Sequence, residues 1–309
     1  MVYRTILAIE SSCDETAAAV VKDGVEVLSS YLASSADVHE KTGGVVPEVA
    51  ARKQVEYIIP VISETLTKLY SKINGKVPTD QEELTNFAKD FIDAVAVTVG
   101  PGLIGSLVVG VEAAKALCVA WDKPAIPVNH LVGHIYGNFL NTESAVPSKE
   151  IVFPAVVLVV SGGHTDLVLM KGHGEFVYLG GTLDDAAGEA FDKTARLLGI
   201  TKYLMGGPSL STRASTCVNH TFENKLPRPM MGSDNFDFSF SGLKSAVKRL
   251  YSETLSSDEV SSLAKDFENS VVEVLTYKTM KAVKKYGVAS LLICGGVAAN
   301  RVLRESLKK

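Results

Sequence analysis

Apolar and polar positions alternate in short blocks at the start of the chain. Thr5 to Glu10 is an apolar run, Ser11 to Thr16 a polar cluster, and Ala17 to Val21 a second run that leads through Lys22-Asp23-Gly24 to Val25–Leu32. Runs of this length between turn residues predict three antiparallel strands, with Asp-Gly as the later hairpin signal. From Pro47 to Tyr70, Val55, Ile58, Ile59, Ile62 and Leu66 recur at helical spacing. Ser71 to Asp90 is polar and charged and reads as a surface excursion. Ala94 to Val99 predicts a strand, Gly100-Pro101-Gly102 opens a helix through Ala120, and a strand over Ala125 to Val128 precedes a helical segment that carries histidines.

The opening pattern then repeats. Val156 to Val160 predicts a strand, Ser161-Gly162-Gly163-His164-Thr165 a polar turn, Asp166 to Met170 a second strand and Val177 to Leu179 a third, with Leu183 to Leu198 helical. Near the end, Leu291 to Cys294 predicts a strand, Gly295-Gly296 a turn and Val297 onward a helix. Strand, polar turn, strand, twice over, predicts an α/β protein of two ribonuclease H-like halves with a cleft between them, residues 1–128 and 129–309.

Composition narrows the class. The chain has 309 residues, 46% hydrophobic and 21% charged, enough for two modest domains. No apolar run is expected to span a bilayer, and Met1-Val2-Tyr3-Arg4 moves straight into a strand without a signal peptide. Cys13, Cys118, Cys217 and Cys294 share no metal-type spacing and read as reduced thiols of a cytoplasmic protein. A net charge of -4 argues against nonspecific nucleic-acid binding, so any RNA must meet a local basic patch or be held with partners. Lys244 and Lys248 with Arg249, and Lys278, Lys281 and Lys285, stand at helical spacing; solvated helix faces account for them better than an RNA surface does.

Three glycine- or hydroxyl-rich turns follow apolar strands, at 11–16, 161–165 and 295–300. Such turns aim backbone N–H groups at an anion, and three in one chain favour a nucleotide. The Walker pattern with its lysine is not present. His130 and His134 are four apart, which on a helix places both imidazoles on one face; the spacing serves a metal or two ordinary helix residues equally. A zinc peptidase would need glutamate after the first histidine, where Leu131 stands. Asp14 and Glu15 lie in the first turn, as acid/base groups or as a capping pair. Asp184, Asp185, Glu189 and Asp192 suit a helix start but exceed its capping needs.

Together these segments resemble one family. The motifs are Ile9-Glu10-Ser11-Ser12-Cys13-Asp14-Glu15-Thr16, Gly43-Gly44-Val45-Val46-Pro47-Glu48, Gly100-Pro101-Gly102-Leu103, His130-Leu131-Val132-Gly133-His134 and Val160-Ser161-Gly162-Gly163-His164-Thr165. Asp184 to Lys193, Phe238-Ser239-Phe240-Ser241-Gly242-Leu243-Lys244 and Gly295-Gly296-Val297-Ala298-Ala299-Asn300-Arg301 continue the series in order. The chain resembles the TsaD family, the tRNA N6-adenosine threonylcarbamoyltransferases. The resemblance implies the fold of the actin, sugar-kinase and heat-shock ATPase superfamily. It implies transfer of threonylcarbamoyl from threonylcarbamoyl-adenylate to the exocyclic amine of the adenosine 3′ of the anticodon in tRNAs reading codons that begin with A. By position it implies His130 and His134 as ligands of one divalent metal, iron or zinc. Val159, Val160, Ser161, Gly162, Gly163, Asp192, Gly207 and Asn300 would line the adenylate site, with Asp14 and Glu15 near the reacting centre. A TsaB-type paralog and a TsaE-type ATPase are the implied protein partners, with no membrane involved.

Two departures stand out. The family reads Ala-Ser-Arg-x-His where this chain has Ala50-Ala51-Arg52-Lys53-Gln54, and it continues beyond Asn300-Arg301 to an aspartate that is a further metal ligand, which this sequence does not contain. The second departure raises an alternative, a nucleotide-binding scaffold of the same tRNA-modification complex. A sugar kinase or chaperone ATPase would share the fold but not the histidine pair.

Overall fold

The computed structural model describes residues 4–40, 44–141, 150–201 and 206–308; Gly43 of the second motif lies outside them. The chain forms two compact units, Met1–Ser148 and Lys149–Lys309. The division therefore falls after residue 148 rather than at 128/129. The reason is local: the histidine-bearing helix packs on the strands that precede it.

The first unit is built on strands β1 (Thr5–Glu10), β2 (Glu15–Lys22), β3 (Glu26–Ser34), β4 (Ala94–Gly100) and β5 (Ala125–Asn129), in the order β3-β2-β1-β4-β5. The first three pair antiparallel as expected, and β1, β4 and β5 are parallel. At the β2–β3 turn Asp23 and Gly24 both take positive φ, 50° and 76°, the conformation that lets a two-residue turn follow the strand twist. After a short helix α1 (Ala36–Glu40), helix α2 (Pro47–Asn74) lays Ile58, Ile62, Leu66 and Leu69 on the sheet.

Helix α3 (Gln81–Phe91) occupies the stretch expected to be a surface excursion. Its signal is compact: Asp80 caps it by accepting from Glu83 N at 2.9 Å, and only Leu84 and Ala88 are buried in an otherwise charged segment. Helix α4 (Ile104–Trp121) corrects the expectation that no apolar run could span a bilayer, because by length and composition it could. Only Glu112 and Lys115 interrupt it, paired at 2.8 Å, and Ser106, Leu107, Gly110, Ala114 and Trp121 are buried within the unit. Helix α5 (His130–Tyr136) follows β5 directly.

The second unit repeats the topology with β6 (Ala155–Val160), β7 (Thr165–Gly172), β8 (Glu175–Gly181) and β9 (Ser290–Cys294), in the order β8-β7-β6-β9. Every residue of β6 is buried, as expected for a central strand covered on both faces. Helix α6 is Ala187–Leu197, starting later than predicted because 182–186 is tied down elsewhere. Thr182 Oγ1 bonds Asp185 O at 2.7 Å, and Asp184 caps helix α8 (Ser241–Leu250), accepting from Ser239 Oγ and Ser241 Oγ at 2.6 Å each. Asp185 and Glu189 both pair with Lys193, which accounts for three of the four clustered carboxylates and leaves Asp192.

Helix α7 is Gly206–Ser215, and α9 (Ser257–Tyr286) runs through the unit's core with a capping box at Ser256 and Glu259 and a left-handed Gly287 at its end. Helix α10 is Arg301–Leu307. Lys278 is not on a solvated face: it is fully buried, and Nζ donates to Ser233 Oγ at 2.7 Å and Asp237 O at 2.6 Å. Those oxygens replace its lost water, although burial still lowers its basicity. Lys281 bonds the carbonyls of Ser233 and Asp234, so these two lysines secure a loop.

Candidate active site

In the first unit the β5–α5 junction sets the histidine pair. Asn129 Oδ1 caps α5, accepting from Leu131 N at 2.9 Å and Val132 N at 3.3 Å. The helix then sets the His130 and His134 rings edge to face, centroids 4.5 Å apart at 73°. Glu10, the last residue of β1, accepts from Thr98 Oγ1 at 2.5 Å and lies 3.2 Å from His130 Nδ1. Burial acts strongly to raise the Glu10 carboxyl, but hydrogen bonds from His130, Ser12 and Thr98 outweigh it and hold it at about 2. An ionised carboxylate only accepts, so His130 must carry its proton on Nδ1. That leaves Nε2 as the nitrogen with the metal-binding lone pair, the usual arrangement of a ligating histidine oriented by a carboxylate.

The donor set fits two ligands of a divalent metal. Among the described residues no group of three or more His, Cys, Asp or Glu is placed to hold an ion, so the pair alone would supply only part of a coordination shell. Both histidines and Glu10 lie on the wall of a cavity of about 750 Å³ along one face of the first sheet.

Asp14 ends the β1–β2 turn and Glu15 begins β2, and a buried Gln54 on α2 shapes the turn. Gln54 Nε2 donates to Glu15 O at 2.7 Å and Cys13 O at 3.1 Å, while Oε1 accepts from Thr16 Oγ1 at 2.6 Å. The first departure from the family pattern thus falls on the side chain that fixes this turn, and no imidazole could make three such bonds. Desolvation, then the charges of Asp14 and Glu10, push the Glu15 carboxyl above the usual range. Burial and the Asp14 charge raise the Cys13 thiol to about 12, and burial alone does the same for Cys294, so neither is a nucleophile near neutral pH.

The second unit holds a separate cavity of about 390 Å³. Of the expected positions it brings together Gly162, Asp192, Gly207 and Asn300. Ser161 folds the turn, its Oγ accepting from His164 N at 3.1 Å, and Gly163 is exposed beside it. Val159 and Val160 are fully buried on β6 and do not line this cavity. Gly188 lets α6 press on the glycine turn: a Cβ there would lie 2.6 Å from Ser161 O. Asp192 accepts from Gly207 N at 3.0 Å, and burial raises its carboxyl. The sequence reading did not single out Phe191, Ser211 or Arg301, which also line the cavity. Phe191 lies inside a quoted motif, whereas Ser211 had no signal.

A cavity of nucleoside size walled by glycines, a carboxylate and a carboxamide offers close backbone approach and acceptors for hydroxyl groups. The model of the tRNA N6-adenosine threonylcarbamoyltransferase family, TsaD, matches residues 26–309. The chain is 46% identical to the tRNA N6-adenosine threonylcarbamoyltransferase of Thermomicrobium roseum over 98% of its own length and 84% of that protein. It is 47% identical to the Bacillus subtilis enzyme of the same name, over 98% and 81%. Among solved structures, HypF from T. kodakarensis superposes with a TM-score of 0.57 at 12% identity, covering 99% of this chain and 43% of that one. Component A of (R)-2-hydroxyglutaryl-CoA dehydratase from Acidaminococcus fermentans gives 0.51 at 14%, covering 100% and 88%. These likenesses carry the fold, that of the actin-like ATPases and sugar kinases, in agreement with the two mixed sheets. The chain belongs to the TsaD family of tRNA N6-adenosine threonylcarbamoyltransferases.

Proposed function

We propose that this chain transfers the threonylcarbamoyl group of threonylcarbamoyl-adenylate to the N6 amine of the adenosine 3′ of the anticodon in tRNA, releasing AMP. The observation that carries the reading is family membership over nearly the whole chain, joined to a second-unit cavity that gathers Gly162, Asp192, Gly207 and Asn300. The amine nitrogen attacks the carbamoyl carbonyl, the bond from that carbon to the phosphate oxygen breaks, and AMP leaves with the electron pair. Burial holds the Cys13 and Cys294 thiols protonated, so neither is poised to take the group first.

The AMP moiety occupies the second-unit cavity, with Asp192 accepting from its hydroxyl groups. Glu15, raised above an ordinary carboxylate, is suited to take the proton released by the amine. His130 and His134 would hold a divalent metal that supplies Lewis-acid stabilisation of developing negative charge. The protein works in the cytoplasm with a TsaB-type paralog and a TsaE-type ATPase. No observation favours the scaffold alternative.

The test is mass spectrometry of nucleosides from tRNA incubated with the chain, threonylcarbamoyl-adenylate, the two partners and a divalent metal. Threonylcarbamoyladenosine is expected only when the chain is present. Its absence, while the Bacillus subtilis relative succeeds in parallel, overturns the reading. In the same assay Gln54→Met keeps volume but loses the amide bonds that shape the Asp14–Glu15 turn. Turnover should fall on the order of 100-fold with AMP affinity unchanged, since small misplacements of reacting groups cost that much. Unchanged turnover would remove Gln54 and its turn from the mechanism.

A further inference from the structure

Behind the second-unit cavity lies a carboxylate that no ion pair among the described residues accounts for. Glu268, on α9, is only 4% exposed, and its Oε1 accepts from Asn300 Nδ2 at 2.7 Å. The same Nδ2 donates to Ser211 Oγ at 3.0 Å, and Asn300 Oδ1 accepts from Leu303 N at 2.9 Å. These partners leave the carboxamide one orientation. Leu303 N can only donate and a carboxylate can only accept, so Oδ1 must face the first and Nδ2 the second. Both Nδ2 hydrogens are then spent on protein atoms. Asn300, although on the cavity wall, has no N–H left for a ligand.

The consequence passes to Ser211. Its oxygen receives a hydrogen from Asn300, so its own proton must point elsewhere, and Ser211 lines the cavity. We propose that Glu268 is a positioning residue that, by locking the Asn300 carboxamide, makes Ser211 a directed hydrogen-bond donor to an acceptor atom of the bound nucleotide. The proposal rests on the adenylate reading of this cavity. Without Glu268 the carboxamide loses the partner that distinguishes its two ends on this side. A flipped amide would then give up only the Leu303 N bond; Ser211 would donate to Asn300 Oδ1, and its proton would be withdrawn from the cavity.

Calorimetric titration of the intact chain with AMP tests this in a cycle of Glu268→Leu and Ser211→Ala. Each single change is expected to weaken AMP binding on the order of tenfold, the worth of one hydrogen bond. The double variant should be no weaker than Ser211→Ala alone, because Glu268 acts only through that hydroxyl. Glu268→Gln, which keeps an acceptor for Nδ2, should bind AMP within about twofold of the unaltered chain. Losses that add in the double variant, or a Ser211→Ala chain that binds AMP normally, overturn the proposal; the second result does so even if Glu268→Leu fails to fold. If the unaltered chain does not bind AMP, the cavity reading itself falls.

Discussion

Asp266→Ala is expected to destabilise the second unit by about 3–5 kcal/mol, the usual cost of leaving the partners of a buried charge uncompensated. Asp266 is fully buried on α9, where its carboxylate accepts from Leu226 N at 2.8 Å, Lys225 N at 2.9 Å, Asn224 N at 3.2 Å and Arg228 Nη1 at 3.3 Å. Alanine would strand three backbone N–H groups, that of Leu226 in a buried site, and leave Arg228 to Glu273, Asn224 and the Leu226 carbonyl. Thermal melting should show a loss on the order of 10 °C. Ser262→Ala removes one hydroxyl that accepts from Phe222 N at 2.9 Å and should cost only about 1 kcal/mol. If Asp266→Ala costs no more than Ser262→Ala, the segment over 216–238 is held mainly by Lys278 instead.

That segment shows where sequence reasoning runs out. Along α9, Asp258, Ser262, Asp266 and Ser270 recur every fourth position, a polar stripe that pattern alone assigns to solvent. Each instead bonds the backbone of the irregular stretch beside it: Val218 and Asn219 at Asp258, Phe222 at Ser262, Asn224 to Leu226 at Asp266, and Pro227 O at Ser270. Lys278 fails as a surface residue for the same reason. Buried backbone without regular structure needs side-chain partners, and nothing in the periodicity says which face supplies them.

The sheets, by contrast, were legible because each begins with an alternating or fully apolar run next to a turn of fixed chemistry, as Asp23-Gly24 shows. Helix α3 was not, since two buried residues make a weak apolar stripe among charges. In the site, Gly162, Asp192, Gly207 and Asn300 were found through motifs. Glu268 and Ser211 escaped, because their link through Asn300 joins three elements far apart in sequence.

Glu10→Gln is expected to weaken divalent-metal binding on the order of 10–100-fold while leaving the fold intact, as losing a carboxylate behind a ligating histidine generally does. The effect follows from the geometry around β1. Thr98 Oγ1 and Ser12 N, at 2.5 Å and 2.6 Å, pin the Glu10 carboxylate, which fixes the His130 ring from its Nδ1 side. A carboxamide could satisfy Thr98 or Ser12, but it would present no charge to His130 and could turn an N–H toward Nδ1, driving the proton to Nε2 where a metal needs a lone pair. His134→Ala removes a ligand outright and should cost more than Glu10→Gln; Thr98→Val, which loosens the carboxylate without removing it, should cost less. Competition for zinc with a chromophoric chelator, on the intact chain without tRNA or adenylate, measures this ranking apart from turnover. If all three variants hold zinc as the unaltered chain does, the histidine pair is not the metal site. If His134→Ala alone loses zinc, the pair stands and Glu10 has no part in orienting it.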